Sequence, residues 1–435
     1  MSEELVARET EQSAPAPEVP SATPLLSPEG GVPDIVDTPA ALERTIAAFA
    51  AGTGPVAADA ERASGFRYGQ ATYLAQFKRA GAGITLIDTA ALPDLSGLAA
   101  AIGEAEYVFH AASQDLPGMH DLGIFPARIF DTEVAARLLG WPKVGLAAVV
   151  ERELGLALAK EHSAQDWSQR PLPHEWLVYA ALDVEVLLPL RDALGAHLES
   201  AGKLDWAAQE FEALRLAGPA EPRVDPWRRV SGSHVLRDAR SLAIVRSLWT
   251  ARDAEAQRRD MSPGRVLRDA AIVAAAQAKP SSVDALVAIR EWSSKGTRRA
   301  APRWYPAIAE AMSMPESELP SKRGPAGDGP PQPRMWREKK PEAADRLEGA
   351  RALVADLVER HDMPAENLLQ PDALRRVCWE YAGGGADWIT AFLAGRGARP
   401  WQIELFAVPL AEVFDSPRTP SATAEAAAES APQEG

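Results

Sequence analysis

The sequence predicts an α/β sheet domain followed by two helical bodies. Three observations carry this. Strand-like and helical runs alternate through about the first 200 residues, the pattern of a sheet flanked by helices. Beyond them apolar residues recur at helical spacing. Breaks rich in Pro and Gly at 216–232 and 316–341 then leave bodies at about 37–215, 233–315 and 342–415.

Residues 1–36 are rich in Pro, Ser, Ala and Glu without periodicity, and read as a disordered tail, as do 416–435. In the first body "GPVAADAE" and "ITLIDTA" read as strands and "LSGLAAAIGEA" as a helix. "EYVFHAA" is a short apolar strand, followed by the helix candidate "SQDLPGMHDLG". Helices are expected over 131–139, 144–155 and 173–200. Ligands of such sheets collect where strands end and helices begin. In the second body Leu242, Val245, Leu248 and Trp249 form a helical stripe, and Ser281 and Asp284 have capping-box spacing. In the third, Leu353, Leu357 and Val358 form a stripe, and "YAGGGADW" breaks it. The helical bodies are similar in size, yet show no residue-level self-match.

Composition narrows the class. Hydrophobic content of 46% and charged content of 25% belong to an ordinary globular protein. One cysteine, Cys378, excludes an internal disulfide and a Cys-based zinc site. The acidic N-terminus lacks the basic region and apolar core of a signal peptide. No apolar run of about 18 residues exists. A cytoplasmic protein is expected. The net charge of −15 opposes a nucleic-acid partner only as a sum. Residues 228–305 hold sixteen Arg/Lys against seven Asp/Glu, a balance of +9, while residues 1–44 stand at −7.

Three places in the first body combine carboxylates with buried-looking elements. Asp59 and Glu61 close an apolar strand, and i, i+2 residues of a strand share a face. Asp115 falls in the first turn of a helix just after a strand. Tyr179 and Asp183 share a helix face. That face looks inward, because Leu182, Val186, Leu187 and Leu190 around it are apolar. His110 reads as a core histidine and Glu185 as a solvated neighbour. Mg²⁺ takes hard oxygen ligands, and a pair of such ions needs several carboxylates converging from separate elements.

In this order the motifs resemble the DEDD superfamily of 3′→5′ exonucleases, in its tyrosine-bearing branch, and most nearly the ribonuclease D family. "DWSQRPLPHEWLVYAALDVEVLLPL", "HAASQDLPGM" and "DAERASGFRYGQATYLAQF" look like that family's third, second and first motifs. The first departs from the pattern, with Arg62 and Ala63 where the family carries a bulkier apolar residue. The second body is similar to the HRDC domain, a helical nucleic-acid-binding module shared with RecQ-type helicases. The third matches a second HRDC-like domain by length and position.

The resemblance implies a ribonuclease H-like mixed sheet with flanking helices, then two all-α HRDC-like domains. It implies a two-metal 3′→5′ exoribonuclease that trims tRNA or other structured RNA. Asp59, Glu61, Asp115 and Asp183 would hold two divalent ions, Mg²⁺ or Mn²⁺, with Asp59 on both. Glu61 and Asp183 would serve the ion that binds the attacking water, and Asp115 the second ion. Tyr179 would orient the water. The alternatives are a DNA 3′→5′ exonuclease and a non-catalytic nucleic-acid-binding protein. Arg228, Arg229, Arg258, Arg259, Arg298 and Arg299 come in pairs suited to phosphate. Trp292, Trp304 and Tyr305 read as core rather than as base-stacking platforms. A monomer is expected to suffice.

Overall fold

The computed structural model describes residues 22–159, 164–219, 221–324 and 328–416. Most of the two expected tails, 1–21 and 417–435, lies outside these residues. Residues 22–36, expected to belong to the first tail, are instead placed by strand pairing. β1 (Thr23–Pro24) runs parallel to β8 (Leu156–Ala157), and β2 (Ile35–Val36) runs parallel to β5 (Gly83–Asp88). Two-residue strands have no periodicity to read; their order comes from a sheet edge that other residues build.

The main sheet has the order β2-β5-β4-β3-β6-β7. β3 (Thr53–Arg62), β4 (Thr72–Ala80) and β5 form an antiparallel meander, and β6 (Glu106–Phe109) and β7 (Arg128–Asp131) continue it in parallel. β4 is not among the expected strands, since Gln76, Lys78 and Arg79 interrupt its apolar run. Alternation along β4 divides the faces. Phe77 looks toward α1 (Pro39–Ala51), where its ring meets Phe49 edge-on at 6.5 Å. Leu74 and Leu86 look the other way, toward Trp167, Trp176 and Ala180.

Around the sheet lie α2 (Ser96–Ile102), α3 (Ala112–Asp121), α4 (Thr132–Leu138), α5 (Leu146–Leu154), α6 (His174–Glu185), α7 (Leu187–Ser200) and α8 (Leu204–Arg215). The single helix expected over 173–200 breaks at Val186. Pro189 has no N–H to offer the carbonyl four residues earlier, at Glu185. Lys78 Nζ from β4 donates to that carbonyl instead, at 3.1 Å.

The second body is α9 (Ala239–Arg259), α10 (Pro263–Val266), α11 (Asp269–Ala278), α12 (Val283–Val287) and α13 (Lys295–Ser313) around its own core. Trp292 and Trp304 are buried there, as expected. So is Trp227, which places the start of this body inside the expected linker. Ser282, not Ser281, caps α12, accepting from Ala285 N. The body clasps the loop after β3. Ser262 N donates to Phe66 O at 2.9 Å, Tyr68 Oη to Asp253 at 3.1 Å, and Arg67 bridges Asp260 and Ser168.

The third body is α14 (Trp336–Lys339), α15 (Pro341–His361), α16 (Ala365–Leu368), α17 (Pro371–Glu380), α18 (Gly385–Ala394) and α19 (Pro400–Asp415). Fully buried Trp336 brings its start forward from 342. Its core is continuous with that of the sheet domain. Trp401 stacks on Trp206 of α8 with centroids 4.5 Å apart, and Lys203 Nζ donates to the carbonyls of Leu138 and His361. A Cβ on Gly140 would stand 1.8 Å from the Asp362 carbonyl oxygen, so only glycine permits this approach.

The helical bodies repeat one another. α9–α10–α11 and α15–α16–α17 have lengths of 21, 4 and 10 residues in both. The first helix of each ends on a left-handed Asp-Met step, Asp260 at φ 47° and Asp362 at φ 46°. An extended leucine precedes the third, Leu267 at φ −153° and Leu369 at φ −154°. Few identities survive between them because a backbone path constrains only the caps and the buried face. No helix among the described residues is long and apolar enough to cross a membrane.

Candidate metal centre

β3 carries Asp59 and Glu61 at its end, and α6 packs across β3, β4 and β5. Asp183 of α6 thereby meets the strand pair: one carboxylate oxygen of each of Asp59, Glu61 and Asp183 lies within 4.8 Å of the others. Asp115 arrives from α3 and is only 4% exposed. Tyr179, one turn before Asp183, shares a hydrogen bond with it. These five expected residues line one cavity of about 780 Å³ with Arg62, Gln114 and Leu146.

Two residues that position the acids have little sequence signature. Gln76 stands opposite Asp59 in the β3–β4 register and donates to its Oδ2 at 2.5 Å. A glutamine buried completely in an apolar strand is the available signal. Asp131 caps α4 through Glu133 N and Val134 N, and also accepts from Ala111 N and Ala112 N at 3.1 and 2.7 Å. Ala111 has φ 61°, a strained angle for a residue with a Cβ. Asp131 thus holds the turn that aims α3, and Asp115 with it. Gly118, three residues on, lets α3 close on β4, since a Cβ there would stand 2.3 Å from Thr72 Oγ1.

The α6 side is held by the "DWSQRPL" lead. Arg170 pairs bidentately with Asp88 at the end of β5, both contacts at 2.6 Å. Trp167, fully buried, packs its ring 5.3 Å from Trp176 and 6.4 Å from Tyr179.

Burial raises the pKa of Asp59, Glu61, Asp115 and Asp183. Mutual repulsion adds to the rise at Glu61, Asp115 and Asp183; at Asp59 the Gln76 hydrogen bond and Arg62 oppose it. Buried carboxylates that repel one another call for cations. Burial and the acids push the Tyr179 phenol far up, so it stays protonated. His110, read as a core histidine, is half-buried and lines the same cavity; burial lowers its pKa to about 4, and Nδ1 meets Thr132 Oγ1 at 2.8 Å. Glu185 is not solvated but half-buried and paired with Lys78 at 3.0 Å, because α6 lies across β4.

The six expected phosphate-binding arginines do not form one patch. Arg258, Arg259 and Arg299 line a groove between α9 and α13, joined by Arg303, and Glu255 within it pairs with Arg258, Arg259 and Arg303. Arg298 and Arg229 are exposed elsewhere. Arg228 is engaged by Asp225, by the Ser321 carbonyl and by the face of Trp227.

Comparison with known proteins agrees with this geometry. Residues 33–199 match the 3′-5′ exonuclease family, 241–308 the HRDC domain, and 329–414 a family described as a 3′ to 5′ exonuclease C-terminal domain. Ribonuclease D of Gluconacetobacter diazotrophicus is 33% identical over 307 residues, 68% of this chain and 74% of that protein. Ribonuclease D of Acidiphilium cryptum is 36% identical over 233 residues, 52% of this chain and 58% of that protein. A crystal structure of a Bifidobacterium adolescentis protein superposes with a TM-score of 0.82 at 39% identity, covering 91% of this chain and all of that one. Escherichia coli RNase D, an exoribonuclease involved in structured RNA processing, superposes at 0.60 with 25% identity, covering 83% of this chain and 98% of that one. Carboxylates gathered at the end of the central strand, a tyrosine one turn before the last of them, and these relatives agree: the chain belongs to the ribonuclease D family of 3′-5′ exoribonucleases.

Proposed function

We propose that Asp59, Glu61, Asp115 and Asp183 hold two divalent cations, Mg²⁺ or Mn²⁺, and that the protein trims the 3′ ends of tRNA or other structured RNA. The observation that carries this is the convergence of Asp59, Glu61 and Asp183 oxygens within 4.8 Å beside Tyr179. Three carboxylate oxygens at that spacing, one from a buried and two from half-buried residues, suit a hard cation. When bound, the cations lower the pKa of an attacking water and offset charge on the phosphate.

The chain supplies the rest. Gln76 fixes the rotamer of Asp59, the acid at the centre of the cluster. Tyr179 Oη, held beside Asp183, places a protonated hydroxyl at the cavity wall, where it orients the nucleophilic water. Tyr179→Phe is expected to slow turnover about tenfold, a share typical of positioning one reacting group, with Mn²⁺ affinity unchanged by calorimetry. Wild-type turnover in that variant removes the role.

The groove of Arg258, Arg259, Arg299 and Arg303 is the proposed guide for the RNA strand. With about four phosphates neutralised, log affinity is expected to fall with log salt at a slope near −3 for single strands. A flat response counts against the groove. We place the protein in the cytoplasm, where its buried Cys378 stays reduced, acting as a single chain that carries its whole catalytic set. End-labelled RNA, a matched DNA strand and a duplex, each with and without Mg²⁺, test the activity. Metal-dependent loss of 3′ nucleotides from RNA is the expected result. Equal loss from DNA favours the DNA exonuclease, and binding without loss favours the non-catalytic reading.

A further inference from the structure

Arg62, the departure from the family pattern next to Glu61, has a defined place in the structure. Its Nη1 donates to the Gln114 carbonyl, and its Nη2 lies 3.8 Å from Asp115 Oδ1. The side chain is 21% exposed and forms part of the cavity wall. Its charge faces Asp59, Glu61 and Asp115. The four acids are therefore unequal. Three bring oxygens together within 4.8 Å, while the fourth, Asp115, already has a cationic partner. An apolar side chain at position 62 would leave Asp115 without it.

We propose that Arg62 is the resident cation on the Asp115 side of the centre, and that a second divalent ion binds there only by displacing its guanidinium. This rests on the two-cation reading above. Two consequences follow from charge alone. The side formed by Asp59, Glu61 and Asp183 fills first, because Arg62, whose charge reaches Asp59 and Glu61, makes its ion-pair contact at Asp115 and not among those three oxygens. The Asp115 side fills later and more weakly, because the incoming ion replaces an attraction already present and is repelled by the charge it displaces. Arg62 would thus set the divalent-ion concentration at which the centre becomes complete.

Titration of the full-length chain with MnCl₂ by calorimetry, without RNA, tests this. The wild type is expected to show one tight and one weak binding event. Arg62→Gln is expected to tighten the weak event at least about tenfold and to tighten the other distinctly less. Arg62→Met, which removes the charge but keeps an apolar stem, should do the same, and Arg62→Lys should restore weak binding. A weak event that Arg62→Gln leaves unchanged, or weakens, overturns the proposal. So does tightening in only one of the neutral variants, because packing would then be the cause. If the wild type binds no Mn²⁺ at all, the two-cation reading falls too. If two ions bind and Arg62→Gln changes neither, that reading stands and only the role of Arg62 is lost.

Discussion

Asp183→Asn is expected to slow removal of RNA 3′ nucleotides by roughly 1000-fold, about 4 kcal/mol of transition-state stabilisation, while RNA affinity changes less than about twofold. The asparagine keeps the shape of the side chain and its hydrogen bond to Tyr179. It removes one of three charges whose oxygens lie within 4.8 Å. The proposed RNA guide lies on the second body and is untouched. Single-turnover rates against end-labelled RNA, with binding measured in EDTA, check both halves. Unchanged Mg²⁺-dependent turnover sinks the assignment of Asp183 as a ligand.

The same substitution carries a stability signature of opposite sign. The folded protein raises the pKa of Asp59, Glu61, Asp115 and Asp183, through burial first. Between the ordinary carboxylate range and those raised values, the folded state holds protons that the unfolded state has released. Stability therefore falls as pH rises through that window. In EDTA, Asp183→Asn is expected to be more stable than wild type at neutral pH and to show a shallower decline. Added Mn²⁺ should remove most of the wild-type decline by replacing the protons. Thermal melts across about pH 5–8 measure this.

Trp401→Ala is expected to lower stability by about 3–5 kcal/mol, the usual range for truncating a buried tryptophan. Trp401 is 1% exposed, stacks on Trp206 at 4.5 Å and donates its indole N–H to Glu210 at 3.0 Å. These contacts cross from the third body to the sheet domain and bury the seam between them. Because these two share one core and the second body has its own, calorimetry should show two transitions rather than three. Trp401→Ala should shift the transition of the joint unit and leave the second body's in place. A third body that melts alone, with the exonuclease domain unmoved, would refute the shared core.

The residues proposed to do the chemistry are legible in the sequence, for a reason of geometry. Asp59 and Glu61 share a strand face at a spacing of two, and Tyr179 and Asp183 share a helix face at a spacing of four. Each pair therefore shows in a short stretch of chain. The residues that hold them are not legible there. Gln76 matters because of its register opposite Asp59, and Asp131 because its carboxylate accepts N–H groups about twenty residues earlier. Neither relation leaves a local pattern. β4 is hidden by Gln76, Lys78 and Arg79, polar residues whose partners lie on other elements.

Sequence by itself determined the α/β-then-helical order, the acids and tyrosine of the centre, and the oddity at Arg62. These follow from periodicity and residue type, which short-range sterics and hydrophobicity write along the chain. Tertiary structure alone decided that the third body fuses with the first across Trp401, Lys203 and Gly140, and that the second clasps the loop after β3. It alone paired Arg62 with Asp115 and engaged Arg228 away from the basic groove. Those outcomes depend on which surfaces meet after folding, and contacts between residues far apart in the chain have no period to read.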